Sequence, residues 1–240
     1  MPEGRRGLAS RGPLVVGPED PGGHPPHRPG NVAGSGTVSP APAPWNHNTH
    51  YHPLILGAVL GDSVQRALDV GCGEGQLSRE LRRAVPQVVG IDCDGPTLDR
   101  ARQLDDGTGV EYVQGDFLAH GFQPESFDAI VSVAAVHHMN AAAALSQMRQ
   151  LLRPGGTLAV VGLARSRPRD LPADMAGVVA HRALLVGKTY QQVNAPTIWP
   201  PPQTYAQMRR IAAQTLPGVR YRRHLLWRYS LIWAKPATAH

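Results

Sequence analysis

Apolar residues recur along this chain in two alternating rhythms. Runs at 66–70, 87–92, 109–114, 127–133 and 157–163 read as strands. Stretches near 75–84, 96–105 and 141–152 read as helices between them. In the last of these, Ala144, Leu145, Met148, Leu151 and Leu152 form one core-facing stripe. Pro96 suits a first helical turn behind a capping Asp94. Strands and helices alternating at these lengths predict a parallel, doubly wound α/β sheet. An apolar run at 53–60 precedes the alternation and is expected to be a helix lying across the sheet edge. After Gly162 the alternation stops. A helix is expected over 172–188, with Met175, Val178, Val179, Arg182, Leu185 and Val186 on one side. Pro200, Pro201 and Pro202 break the chain before a helix near 203–215. Two final strands, 219–225 and 229–234, are joined tightly through Leu226, Trp227 and Arg228. Residues 1–44 show no hydrophobic period and are dense in Pro and Gly. They are expected to be a disordered tail or an over-extended start, separate from a domain at 45–240.

The strand at 66–70 runs into Gly71, Gly73 and Gly75 and straight out into an amphipathic helix. Backbone without a Cβ can turn sharply and let a ligand press against it. Asp69 sits two residues before Gly71, where it can face a cation or hold loop amides. Asp92 ends the second strand, seventeen residues past Gly75, where a carboxylate can accept both ribose hydroxyl protons. A strand, glycine loop, helix, strand and acid in this order make a nucleoside pocket in an open α/β sheet. The dinucleotide fingerprint wants a glycine where this chain has Gln76, which argues against a nicotinamide-dependent oxidoreductase.

The segment Asp69-Val-Gly-Cys-Gly-Glu-Gly75 resembles the first motif of class I S-adenosylmethionine-dependent methyltransferases, D/E-x-G-x-G-x-G. Asp92 matches that family's ribose acid, and Gln114-Gly-Asp-Phe117 its adenine-binding segment. Phe127–Ser132 resembles its fourth strand and Arg153–Leu158 the turn into its fifth. The likeness spans residues 50–163 and is closest to the small-molecule, type 11-like branch. It implies a Rossmann-like, seven-stranded doubly wound sheet of order 3-2-1-4-5-7-6 whose seventh strand is antiparallel. It also implies a cofactor half at 45–164, and an insertion that forms a lid, with the C-terminal hairpin, at 165–240. It implies S-adenosyl-L-methionine as cofactor, held by Asp69, Gly71, Cys72, Gly73, Gly75, Asp92, Cys93, Asp116, Phe117 and Ser132. For Asp116 an Asx turn, and for Phe117 a core position, are the alternatives.

Composition narrows the picture. The chain has 240 residues, 42% of them hydrophobic, enough for one good core. No run of eighteen apolar residues occurs, so no membrane span is expected, and the N-terminus lacks the apolar core of a secretory signal. Two cysteines, Cys72 and Cys93, exclude a disulfide framework and read as small packing residues in a cytoplasmic protein. The net charge of +6 is uneven: residues 165–240 hold ten Arg and two Lys against two acids. That segment can face an anionic substrate, nucleic acid, a membrane surface or nothing but solvent.

Few side chains invite catalytic roles. His137 and His138 follow the fourth strand, where a histidine can take a proton from a nucleophile or simply shape the pocket. His47, His50 and His52 lack the Cys or acid partners of a zinc site, so no metal is expected. Asn48, Tyr51 and His52 are expected to close over the cofactor's amino-acid end or the substrate. Trp199, Tyr205, Trp227 and Trp233 supply aromatic surface for packing or for a flat apolar substrate. The fourth strand ends in Ser132-Val-Ala-Ala135, not the Asn/Asp-Pro-Pro-Tyr turn that grips a flipped base. A small-molecule acceptor is therefore expected. A non-catalytic cofactor-binding protein and an RNA or protein methyltransferase remain the rivals.

Overall fold

Seven strands form one sheet in the order β3-β2-β1-β4-β5-β7-β6. These are β1 (Arg66–Val70), β2 (Gln87–Asp92), β3 (Glu111–Gln114), β4 (Phe127–Val133), β5 (Leu152–Leu163), β6 (Arg220–Arg223) and β7 (Arg228–Ala234). The first five run parallel, and β7 enters antiparallel between β5 and β6. The computed structural model describes residues 45–61, 63–105, 107–185 and 199–237. The sheet order is the one the family resemblance implies. The expected tail at 1–44 and part of the expected lid, residues 186–198, lie outside the described residues.

Helices cover both faces, so the central strands are buried on both sides and read as near-continuous apolar runs. On one face α4 (Ala141–Leu151) and α6 (Tyr205–Thr215) place Leu145, Met148, Met208 and Ala212 against Leu68, Ile130, Leu158 and Val160. On the other, α1 (His52–Val59) and α2 (Gln76–Arg82) place Ile55, Val59, Leu77 and Leu81 against Ala129, Val131, Ala159 and Val161. Each fully buried Leu or Ile of this kind contributes about 1.5–3 kcal/mol. Helix ends follow local chemistry. Asp94 accepts from the Thr97 amide to start α3 (Gly95–Gln103), Asn140 accepts from the Ala143 amide to start α4, and Thr204 forms a capping box with Gln207.

Several expectations need correction. Helix α1 packs on the face of β4 and β5, not across the sheet edge, because Ile55 and Val59 find their apolar partners there. Strand β3 starts at Glu111, since Gly109 adopts a left-handed φ of 76° that ends the extended run. Strand β5 starts earlier than expected: Leu152 pairs with Phe127 and a register shift absorbs the Gly155 turn. The expected apolar side of α5 (Leu171–Leu184) is not its buried side, as Met175 and Val179 face solvent. The helix instead turns Gly177 toward Trp227, where a Cβ would sit 3.5 Å from the indole, and packs Ala180 and Leu184 inward. Val186 lies outside the described residues. Cys93 is exposed, so only Cys72 fills a packing role. No described helix is long and apolar enough to cross a membrane.

Candidate active site

Strand β1 delivers the chain into a loop where Gly71, Gly73 and Gly75 all take left-handed φ, at 71°, 54° and 73°. The three glycines serve different needs. A Cβ on Gly71 would meet that of Ala135 at 2.2 Å, and one on Gly75 would meet the Tyr112 hydroxyl at 2.3 Å. Above Gly73 nothing lies closer than the Thr97 methyl at 4.0 Å, so the backbone is open to a ligand. The loop is tied to β2 by the Gly71 and Cys72 amides, which donate to the Ile91 carbonyl at 2.8 and 3.1 Å. Asp92 completes the tie. Its Oδ2 accepts from the Gly73 amide at 2.9 Å and its Oδ1 from the Asp94 amide at 3.0 Å. A carboxylate has about four acceptor sites, so two remain for hydroxyl donors beside the open glycine.

Asp69 lies beneath this loop, 2% exposed, with Oδ2 accepting from the Ser78 hydroxyl at 2.7 Å. Burial pushes its carboxyl up to about 6, against the pull of the Ser78 hydrogen bond and the nearby His52. His52 in turn meets Glu80 of α2 at 2.9 Å. Burial works against the ionised Glu80, yet this histidine contact holds its carboxyl below the usual range. Burial, with Asp69 and Asp92 adding to it, pushes the Cys72 thiol far up and keeps it protonated.

The remaining expected cofactor residues lie along the same edge. Asp116 is exposed and its Oδ1 accepts from the Leu118 amide at 2.9 Å, the Asx turn weighed above. Phe117 is buried in the core cluster with Leu145 and Met148, beneath this turn. Ser132 is fully buried, and its hydroxyl donates to the Val70 carbonyl at 2.8 Å, clasping β4 to β1. Cys93 follows Asp92 on the exposed side.

Beyond β4 and β5 the carboxyl edge opens into a second region. Ala134 takes a φ of 54° and turns the chain into His137 and His138, whose ring centroids lie 4.0 Å apart with the planes tilted by 42°. Burial, with His138 and Arg228 adding to it, holds His137 down to about 4, and burial lowers the exposed His138 as well. Asn48 accepts from Arg228 at 2.9 Å, and the Tyr51 hydroxyl donates to the Leu225 carbonyl at 2.5 Å. Asn48, Tyr51 and His52 thus fasten the N-terminal segment to the hairpin and to α2. His47 bonds His181 of α5 at 2.9 Å while His52 faces Glu80, so these two histidines have different partners. A cavity of about 500 Å³ is lined by Ala164, Arg165, Asp174, Trp199, Pro200 and Trp227. Trp199 is exposed there, whereas Tyr205 and Trp233 are buried.

Arg228 is the site residue that sequence reasoning passed over. It reads as one more arginine in a basic segment, but it is 6% exposed. Its position follows from register. Because β7 runs antiparallel, Arg228 pairs with Leu163 and so begins at the edge where β5 ends.

Comparison with known proteins fits this geometry. A methyltransferase-domain family profile matches residues 68–160. A chain from Mycobacterium tuberculosis called an uncharacterized methyltransferase is 37% identical over 198 residues, spanning 80% of this chain and 98% of that one. This chain belongs to the class I S-adenosylmethionine-dependent methyltransferases. Sterol 24-C-methyltransferase of Clavispora lusitaniae is 38% identical over 119 residues, 46% of this methyltransferase and 31% of the sterol enzyme. Phosphoethanolamine N-methyltransferase 2 of Haemonchus contortus, solved with S-adenosyl-L-methionine, shares the fold at a TM-score of 0.56. It is 17% identical and is aligned over 82% of this chain and 54% of its own. The methyltransferase's cofactor is S-adenosylmethionine, and its residues fit that group. The Gly73 face is open, Asp92 keeps lone pairs for hydroxyls, and the buried Asp69 carboxylate gains from a nearby cation.

Proposed function

We propose that this methyltransferase moves a methyl group by in-line displacement to an O, N, S or C nucleophile of a small molecule. The observation that carries the reading is the open backbone at Gly73 beside Asp92, on the same sheet edge as the cavity beyond β5. In this reading the loop at 71–75 cradles the cofactor and Asp92 accepts its ribose hydroxyl protons. Asp69 balances its amine, and Asp116 with Cys93 borders its adenine. Phe117 and Ser132 support these contacts from the core. The cofactor, when bound, supplies an activated methyl group with a neutral thioether as leaving group, so the difficult chemistry is its own.

The chain's own task is to bind, orient and exclude water, and positioning alone can supply about 7–11 kcal/mol. His137, held near 4, is neutral at pH 7 but a weak base, which supports a pocket-shaping role for it. A small acceptor also suits the state of the basic C-terminal segment. Arg223 pairs with Asp170 and Asp174, and Lys235 pairs with Glu125, so these two cations serve the fold. Calorimetry with S-adenosylhomocysteine tests the cofactor half: micromolar, saturable binding is expected, and its absence refutes the reading. Following a radiolabelled methyl group from cofactor into a metabolite pool tests the acceptor half. Label found only in RNA or protein refutes a small-molecule acceptor.

A further inference from the structure

We infer that the outward face of α5 is a docking surface for an anionic phospholipid bilayer, on which the helix lies flat. Leu171, Met175 and Val179 stand at i, i+4 and i+8 along it and are 60%, 57% and 67% exposed. Pro172, Ala176 and Ala183, also exposed, fill the flank of that stripe. Over the 14 residues of the helix, about 21 Å, the exposed side carries one charged residue, Arg182 near the C-terminal end. Single exposed apolar side chains are ordinary on a protein surface, but a contiguous apolar face rimmed by polar groups marks an interaction site. The acids of this segment are turned to the hairpin side. There Arg223 of β6 holds Asp170 and Asp174 at 2.6 and 3.1 Å, and Asp174 also accepts from the Ser166 hydroxyl.

Charge names the occupant. Arg165, Arg167 and Arg169 precede the helix, Arg182 stands near its end, and all four are exposed. None of them is in an ion pair among the described residues. The apolar stripe is thus bracketed by four cations with no exposed acid between them, the pattern of a helix lying in a membrane interface. Arginines so placed rest their stems on apolar surface and reach lipid phosphate with the guanidinium. Trp199, 70% exposed, adds an indole, a side chain suited to the headgroup level, and it lines the same cavity as Arg165 and Asp174 of α5. A second copy of this chain matches poorly, because a two-fold contact sets one arginine bracket against another. Residues 186–198 hold one Lys and no acid, so they offer the arginines no counter-charge. A nucleic acid satisfies the arginines but leaves Met175 and Val179 in water.

The test is co-sedimentation of the full chain with unilamellar vesicles of phosphatidylcholine, alone or with about one-third phosphatidylglycerol. Partition to the anionic vesicles is expected to be about tenfold stronger or more, and to fall by a similar factor between about 0.05 and 0.5 M salt. Met175→Ser combined with Val179→Ser should weaken it about tenfold or more. Arg182→Gln should weaken it about fivefold, the share of one arginine at an anionic surface. These side chains are exposed, so the urea midpoint and the affinity for S-adenosylhomocysteine should not move. Absence of binding, equal partition to both vesicles, or a double serine variant that binds like wild type overturns the inference. So does a dimer in sedimentation equilibrium that the serine substitutions dissociate, or RNA binding tighter than vesicle binding. Vesicle binding needs no cofactor, so its failure spares the methyltransferase reading, and failure of S-adenosylhomocysteine to bind spares this one.

Discussion

Asp69 should make the empty protein less stable and the loaded one possible, and Asp69→Asn separates the two effects. Its carboxyl titrates near 6 in the fold, against an ordinary value of 3.8, because burial disfavours the charged form. The sign follows from linkage. The folded state holds the proton more tightly than the unfolded chain, so the stabilising contribution is full below pH 3.8 and is lost as pH rises through about 6. Ionising this group therefore removes about 3 kcal/mol by pH 7.5, of which about half goes between pH 5 and 7.5. Asparagine keeps the oxygen that accepts from Ser78 and does not titrate. It also buries an amide that needs a partner, a penalty independent of pH. The quantity to measure is hence the change with pH in the stability gap between variant and wild type. Urea unfolding without cofactor should show the gap moving in favour of the variant by about 1–1.5 kcal/mol from pH 5 to 7.5.

Binding should move the other way. A cofactor amine near Asp69 favours the ionised carboxylate, so affinity of the wild type for S-adenosylhomocysteine should rise as pH increases through about 6. In Asp69→Asn it should be weakened about tenfold at pH 7.5, or about 1.4 kcal/mol, and lose most of that rise. A stability gap that stays constant with pH refutes the buried-charge account. Unchanged affinity in the variant refutes the assignment of Asp69 to the amine and leaves it as a brace for Ser78.

Other perturbations test other parts of the site. Asp92→Ala should weaken S-adenosylhomocysteine by tenfold or more in calorimetry, the equivalent of about 1.5–3 kcal/mol for charge-assisted hydrogen bonds. Equal affinity would remove Asp92 from the ribose. Gly71→Ala should destabilise the fold by more than about 2 kcal/mol in urea unfolding, since its Cβ would meet Ala135 at 2.2 Å at a left-handed φ. Ala135→Gly in the same chain should recover part of that loss, and no recovery would place the damage in the φ alone. His137→Asn should flatten the acid limb of the stability profile. The wild-type histidine, held near 4 by burial, contributes stability that is present above pH 6.5 and lost as pH falls toward 4. An unaltered limb would show that other groups carry it.

The sheet was legible because each central strand is buried on both faces, so β1, β2, β4 and most of β5 appear as plain apolar runs between turn residues. The glycine loop and Asp92 were legible for a related reason: their chemistry is local, compressed into a strand end and the turn that follows. Where expectation and structure part, the deciding interaction is long-range. Nothing near α5 in sequence says that Gly177 must pass Trp227 and so leave Met175 and Val179 in solvent. Helical periodicity identifies a stripe, and only the partner identifies which stripe is buried. Arg228 shows the same limit in the site itself. It lies buried at the edge where β5 ends because β7 is antiparallel and pairs it with Leu163, and Asn48, 180 residues away, bonds its guanidinium there. The expected cofactor residues thus lie in contiguous motifs, whereas the region beyond β4 and β5 is assembled from the N-terminal segment, the turn after β4 and the hairpin. Those pieces meet only through the sheet's register, so a chain can reveal which cofactor it takes well before it reveals what it methylates.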